Sequence, residues 1–164
     1  EIAFEELKEA TANGKDVIEF LISMNPGEPV KPLGEIASGG ELSRIMLAIK
    51  SVLADKDEIP TLIFDEIDVG ISGRTAQKVS EKMKLIGNKH QIICITHLAQ
   101  IAAMADTHFA IEKKVENGKT VTKIQELSEE ESVRELARIL GGAEITDTVV
   151  KSAVEMKKLA KSIR

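Results

Sequence analysis

The sequence has no Trp, no Tyr and only four Phe in 164 residues. Stacking platforms for single-stranded nucleic acid need several aromatics, so this segment is not built as one. Cys94 is the only cysteine, which rules out an intramolecular disulfide and agrees with a reducing compartment. No run approaches the roughly 18 apolar residues of a membrane span. The amino end lacks the basic-then-apolar order of a signal peptide. A cytoplasmic protein without a membrane partner is expected. No strongly basic run occurs and the formal net charge is −5. Strong nucleic-acid binding by the segment alone is disfavoured, because phosphates are neutralised by Lys and Arg. No Gly-x-x-x-x-Gly-Lys-Ser/Thr occurs either, so a phosphate-cradling loop is missing. The first residue is Glu1, not Met, which reads as a piece of a longer protein.

What is present suits one domain, residues 1–164, with a real core. The β-like runs from Ile2 to Leu7 and from Val17 to Ile22 flank Asn13-Gly14, which predicts a hairpin. Residues 25–37 hold Pro26, Gly27, Pro29, Pro32 and Gly34, which predicts a loop. Leu42, Ile45, Met46, Ile49, Val52 and Leu53 share one face at the helical period, and 55–60 ends that helix. Thr61–Phe64 reads as a buried strand. Ala76, Val79, Met83 and Ile86 mark a helix ending near Gly87-Asn88. Residues 91–96 read as a further strand. Strand, helix and strand make a βαβ unit, hence a parallel sheet with a right-handed crossover.

Beyond it, a short helix is expected from Leu98 to Met104. Strands from Thr107 to Val115 and from Thr120 to Leu127 should be joined by a turn at Asn117-Gly118. Ser128-x-x-Glu131 is a capping box for a helix that Gly141-Gly142 stops. Thr146 caps a last helix, with Ile145 and Val150 placed as a hydrophobic staple.

Four places carry chemistry. Ser38-Gly39-Gly40-Glu41 is a capping box, which explains Ser38 and Glu41. It does not explain two glycines in a first turn, where each costs roughly 1 kcal/mol against Ala. Close approach of another backbone, or of a phosphate at the positive helix end, would. Asp65 and Glu66 directly follow an apolar strand, where open parallel sheets bind ligands. One carboxylate there can serve Mg²⁺ through water while the other orients and deprotonates an attacking water. A solvated loop start is the plain alternative.

His97 follows the neighbouring strand and should reach the same rim as Asp65 and Glu66. It can hold a terminal phosphate or the attacking water, or it can be a structural hydrogen bonder. Asp68, Gly70, Ser72 and Gly73 form either a turn with Ser72 as N-cap or a loop that touches a second subunit. His90 and His108 have no such context, and Cys94 reads as a small core residue in mid-strand.

The order and spacing of these pieces resemble the second half of an ABC ATPase head: signature motif, Walker B strand, D-loop and switch histidine. The longer strings resemble the RecN family of SMC-like DNA repair ATPases. They are Asn25-Pro-Gly-Glu-Pro-Val-Lys-Pro-Leu, Ile36-Ala-Ser-Gly-Gly-Glu-Leu-Ser-Arg44, Ile63-Phe-Asp-Glu-Ile-Asp-Val-Gly-Ile-Ser-Gly73 and Ile95-Thr-His-Leu-Ala-Gln-Ile101.

The resemblance implies an α/β fold. A parallel sheet core with flanking helices would form the carboxyl-terminal lobe of a P-loop NTPase-like head, incomplete without the amino-terminal half. Ser38, Gly39, Gly40 and Glu41 would meet ATP held by the opposite head. Asp65 would serve Mg²⁺, Glu66 would polarise the water and His97 would sense the γ-phosphate. Val69, Gly70, Ile71 and Ser72 would be the D-loop, with Ser72 where many relatives carry Asp. Glu41 stands where transporter-type heads carry Gln.

The implied partners are the amino-terminal half with its phosphate loop, a second head in a homodimer, and DNA through the full-length protein. Alone, the segment is expected to be inactive. Two other readings stay open. One is a structural dimerisation module that never meets ATP. The other is a transporter-type nucleotide-binding domain, which Asp-Glu-Ile-Asp in place of Asp-Glu-Pro disfavours.

Overall fold

In the computed structural model of the chain, every residue is described except Ala37, Asp55, Asp57, Asn117, Ala143 and Arg164. The expected Asn117 half of a turn, the Ala37 end of the Pro-Gly loop and the Asp55 helix end therefore lie outside the described residues. The chain opens with the expected hairpin, longer than its apolar cores suggested. Strand β1 (Ile2–Thr11) pairs antiparallel with β2 (Gly14–Ile22), and Gly14 takes φ +100° in the turn.

The segment expected to be loop holds two small elements. Strand β3 (Lys31–Pro32) pairs with Leu21 and Ile22 of β2, and a helical turn α1 (Leu33–Ile36) follows. Pro32 permits this because a proline, lacking an N–H, is tolerated at a sheet edge and before a helical turn.

Helix α2 (Gly39–Leu53) starts at the Ser38–Glu41 capping box. Its packing differs from the sequence expectation. The buried residues are Gly40 and Leu47, while Leu42, Met46, Ile49, Val52 and Leu53 remain exposed, Val52 at 84%. The small and polar edge of the helix turns inward, because the neighbouring loop comes too close for larger side chains.

The centre is the predicted βαβ unit. Strand β4 (Thr61–Phe64) leads through α3 (Gly73–Gly87) to β5 (Gln91–Cys94), and β4 and β5 pair in parallel from Thr61↔Gln91 to Phe64↔Cys94. Strand β5 is two residues shorter than expected. Ile95 still donates its N–H to the Phe64 carbonyl (3.0 Å), and Thr96 and His97 then turn towards the loop after β4. Cys94 accordingly closes the strand and is only partly buried.

Under this sheet Leu47, Leu62, Phe64, Ile67, Met83, Ile86 and Ile101 form one core. Its other face is bare: Ile63, Ile93 and Ile95 are 69%, 45% and 52% exposed. A parallel sheet normally has both faces covered, so this sheet keeps an exposed apolar face.

Helix α4 (Ala99–Ala102) leads to the hairpin β6 (His108–Glu116) and β7 (Lys119–Leu127). Helices α5 (Glu129–Gly141) and α6 (Asp147–Ser162) close the chain. The Ser128–Glu131 capping box, the Gly142 stop at φ +62° and the Thr146 cap are all as expected, and Ile145 remains half exposed. Ala99, Ala102, Leu136, Ala137 and Ala153 make a second core, whose small side chains let α4, α5 and α6 approach closely. Helix α4 belongs to both cores, so the rim of the sheet is braced from behind.

Candidate active site

Strands β4 and β5 end side by side, so Asp65-Glu66 and Thr96-His97 leave the sheet at one rim. The loop after β4 is nailed down by its own sequence. Ile67, between two acids, is fully buried in the core. Burying such a side chain contributes roughly 1.5–3 kcal/mol. Asp65 Oδ1 accepts the Glu66 backbone N–H at 2.9 Å. Glu66 itself sits at φ +58°, the left-handed region that a non-glycine side chain enters at a cost of about 1–3 kcal/mol. Both carboxylates are exposed.

The glycines of α2 meet this loop from the other side. A methyl group on Gly40 would stand 2.8 Å from the Glu66 carbonyl, 2.9 Å from the Val69 carbonyl and 3.0 Å from Arg44 Nη1. A methyl group on Gly39 would overlap the Glu66 carboxylate. The close approach that two glycines announced is therefore made, first of all, by the chain itself. Ser38 and Gly39 are exposed as expected, but Gly40 is buried because the backbone after β4 lies on it.

Two further residues of the same helix lock the contact. Ser43 Oγ donates to the Asp65 carbonyl (2.9 Å), and Arg44 Nη1 donates to the carbonyls of Ile67 (3.1 Å) and Val69 (2.8 Å). Periodicity draws attention to apolar positions, so Ser43 and Arg44 were not singled out. The polar inner edge of α2 was the available signal.

His97 reaches the expected rim, but its imidazole is held by Asp68 rather than by Asp65 or Glu66. The Asp68 carboxylate is 3% exposed. Its Oδ2 accepts from Thr96 Oγ1 (2.6 Å) and from the His97 backbone N–H (2.9 Å), and lies 3.0 Å from His97 Nδ1. Burial alone would raise the Asp68 pKa. The Thr96 hydroxyl, the His97 amide and the imidazole outweigh it and hold the group below its ordinary value. Sequence reading gave Asp68 only to the loop. Its spacing, three residues after Asp65 and just past the buried Ile67, is the signal that would have found it.

The rest of the loop runs Val69, Gly70 (φ +75°), Ile71 and Ser72. Ser72 occupies the N-cap of α3, but its hydroxyl makes no capping bond. Cys94, behind the rim, has its thiol pushed up to about 12, first by burial and then by the charges of Asp68 and Asp65. Away from the site, His90 joins the Ile59 carbonyl (2.8 Å) and the Ala54 carbonyl (3.3 Å), and His108 joins Ser132 Oγ (2.8 Å), both structural ties.

Among the described residues no cluster of three or more His, Cys, Asp or Glu is arranged to hold a metal ion. Mg²⁺ in phosphoryl-transfer sites takes one or two carboxylates together with substrate phosphates. The exposed Asp65 at the rim fits that role.

No protein-family model matches the chain. It is 47% identical over 154 residues to the DNA repair protein RecN of Bacillus subtilis (strain 168), covering 94% of this chain and 27% of that protein. It is 49% identical over 152 residues to RecN of Halalkalibacterium halodurans, covering 93% of this chain and 27% of that protein. The resemblance read from the motifs thus holds over nearly the whole chain, and the chain spans 27% of the length of these relatives. Among solved structures it is similar to the Smc head domain with a coiled coil and joint from Pyrococcus yayanosii. The TM-score is 0.54 at 27% identity, over 76% of this chain and 22% of that one. The fold is α/β, that of part of an SMC-type ABC ATPase head.

Proposed function

We propose that this RecN-like chain is the carboxyl-terminal lobe of an ABC-type ATPase head that works in DNA double-strand break repair and recombination. The observation that carries the reading is the shared rim. Two parallel strands deliver Asp65-Glu66 and Thr96-His97 together, and the Ser38–Glu41 helix start is packed onto the same turn. In this reading Asp65 is the carboxylate for Mg²⁺, reached through water. Glu66 is the general base that orients and deprotonates the attacking water. His97 contacts the terminal phosphate. ATP with Mg²⁺ supplies the electrophilic phosphorus and neutralises its oxygens when bound.

Each site is completed by two other pieces. The phosphate loop comes from the amino-terminal half of the same protein, which docks on the bare face of Ile63, Ile93 and Ile95. The same docking makes 1–164 one lobe of a larger head. Ser38, Gly39 and Glu41 present the start of α2 to ATP held by a second head, and Gly40 lets the helix lie close enough to the acidic turn to do so. Val69, Gly70, Ile71 and Ser72 form the D-loop facing that head. Hydrolysis releases the paired heads, and DNA is reached through the rest of the protein. The place of action is the cytoplasm.

The test is complementation. Mixing this chain with a separately made amino-terminal half should restore ATPase activity that neither part has alone. A demonstrably assembled complex that turns over no ATP would favour a purely structural dimerisation module instead.

A further inference from the structure

We propose that Asp68 is the positioning residue for His97: it fixes the imidazole with its proton on Nδ1 and leaves Nε2 as the nitrogen that serves substrate. The inference rests on the ATPase reading for its consequence, but not for its geometry.

A carboxylate is acceptor-only, so any nitrogen that faces it must carry hydrogen. Asp68 is held below its ordinary pKa and is therefore ionised near neutrality. Its Oδ2 collects three groups at once: the Thr96 hydroxyl at 2.6 Å, the His97 amide at 2.9 Å and His97 Nδ1 at 3.0 Å. The first two fix the backbone that carries the ring, and the third places Nδ1 within contact distance of the carboxylate. Thr96 is held in turn, because its Oγ1 accepts the Leu98 N–H at 3.1 Å.

Asp68 is buried while the His97 side chain is 71% exposed, so the pair has one fixed and one presented end. With Nδ1–H committed, a neutral ring offers only a lone pair at Nε2. A phosphate oxygen can be met at Nε2 only by a ring that also carries hydrogen there, whereas a lone pair at Nε2 accepts from a water. Asp68 also lies in the loop that Arg44 clamps through Ile67 and Val69. The orientation of His97 is therefore mechanically linked to the start of α2.

The test is a double-mutant cycle on ATP turnover of the full-length protein, with His97→Ala, Asp68→Ala and both. Asp68→Ala should lower kcat by about 10- to 100-fold with little change in KM, as loss of an orienting partner does. In the His97→Ala background it should change kcat by less than about twofold, since the two act as one unit. An equal loss in both backgrounds would show that Asp68 merely props the loop, and would overturn the proposal.

Asp68→Asn guards against misfolding. Thr96 and the His97 amide both demand an oxygen at that place, so the amide carbonyl should sit there and the fold should survive. The same cycle then runs with Asn, with the same two deciding outcomes. Nitrogen-15 NMR of labelled histidine supplies a readout free of turnover. The wild type should show His97 protonated at Nδ1 and Asp68→Ala a mixed ring, whereas a wild-type ring with hydrogen on Nε2 and none on Nδ1 would overturn the proposal. If His97→Ala alone turned over ATP normally, the role of His97 in hydrolysis would fall, while the tautomer measurement would still decide the Asp68 assignment.

Discussion

Arg44 donates to the carbonyl of Val69 at 2.8 Å, so the helix that opens on Ser38-Gly39-Gly40 and the loop that follows Asp65-Glu66 are one mechanical piece. In the proposed head these are the two parts that face a second copy. Whatever one of them feels, the other is obliged to follow.

Arg44→Lys keeps the charge, but Nη1 alone donates to both carbonyls, and the lysine ammonium sits on a stem one atom shorter and falls short of that place. The full-length protein should lose about 1–2 kcal/mol in urea unfolding, the usual scale of a hydrogen bond made by a charged donor. ATP turnover should fall further than stability explains, because the loop is no longer aligned. Unchanged turnover would mean that the clamp is structural only.

The two glycines should behave differently. Gly40→Ala pushes a methyl group against two backbone carbonyls that cannot rotate away, and should destabilise by about 1–3 kcal/mol, the range for overpacking. Gly39→Ala meets only the flexible Glu66 carboxylate and should fold like wild type with reduced turnover. Melting curves and ATPase rates on both variants decide it. Equal stability of the two would refute the packing described here.

Glu66→Gln in the full-length protein should abolish hydrolysis yet keep ATP-driven pairing of heads, since shape is retained and only the base is lost. Trapped dimers should appear on a sizing column with ATP. Turnover at the wild-type rate would remove Glu66 from the role of base.

The pH dependence follows from Asp68. Its folded pKa is depressed, so the stability it contributes is complete above its unfolded value, about 3.9. That stability is lost as pH falls through the lower folded value. The melting-temperature gap between wild type and Asp68→Asn should be steady from about pH 5 to pH 8 and shrink below about pH 4. A gap that persists into stronger acid would contradict the assigned hydrogen bonds.

Cys94 should resist alkylation near neutral pH, because burial and the charges of Asp68 and Asp65 hold its thiol at about 12. Iodoacetamide should label it in denaturant and spare it in the native protein. Prompt labelling of the native protein would place Cys94 outside this environment.

Much of this was legible in the sequence, for identifiable reasons. Capping boxes are local, so Ser38–Glu41 and Ser128–Glu131 read correctly from four residues each. The βαβ unit read correctly because β4 and β5 are short apolar runs flanked by clear helix signals. Tertiary choices were less visible. Helix α2 has a regular apolar stripe, yet it buries its small polar edge because the acidic turn lies against Gly40. Asp68 looked like an ordinary turn residue because its partners, Thr96 and His97, lie just past a strand and are 28 and 29 positions away. The β3–α1 segment was hidden by its prolines, which permit an edge pairing and a helical turn as readily as a loop.

The uncovered wall of Ile63, Ile93 and Ile95 has a practical corollary for anyone handling the segment by itself. In water such a wall will seek any greasy companion, including its own twin. Preparations of the isolated piece should clump as they are concentrated, and charged replacements at Ile63 and Ile93 should keep them dispersed. The same replacements would spoil the fit to the missing half, so solubility gained in the tube would be competence lost in the whole machine.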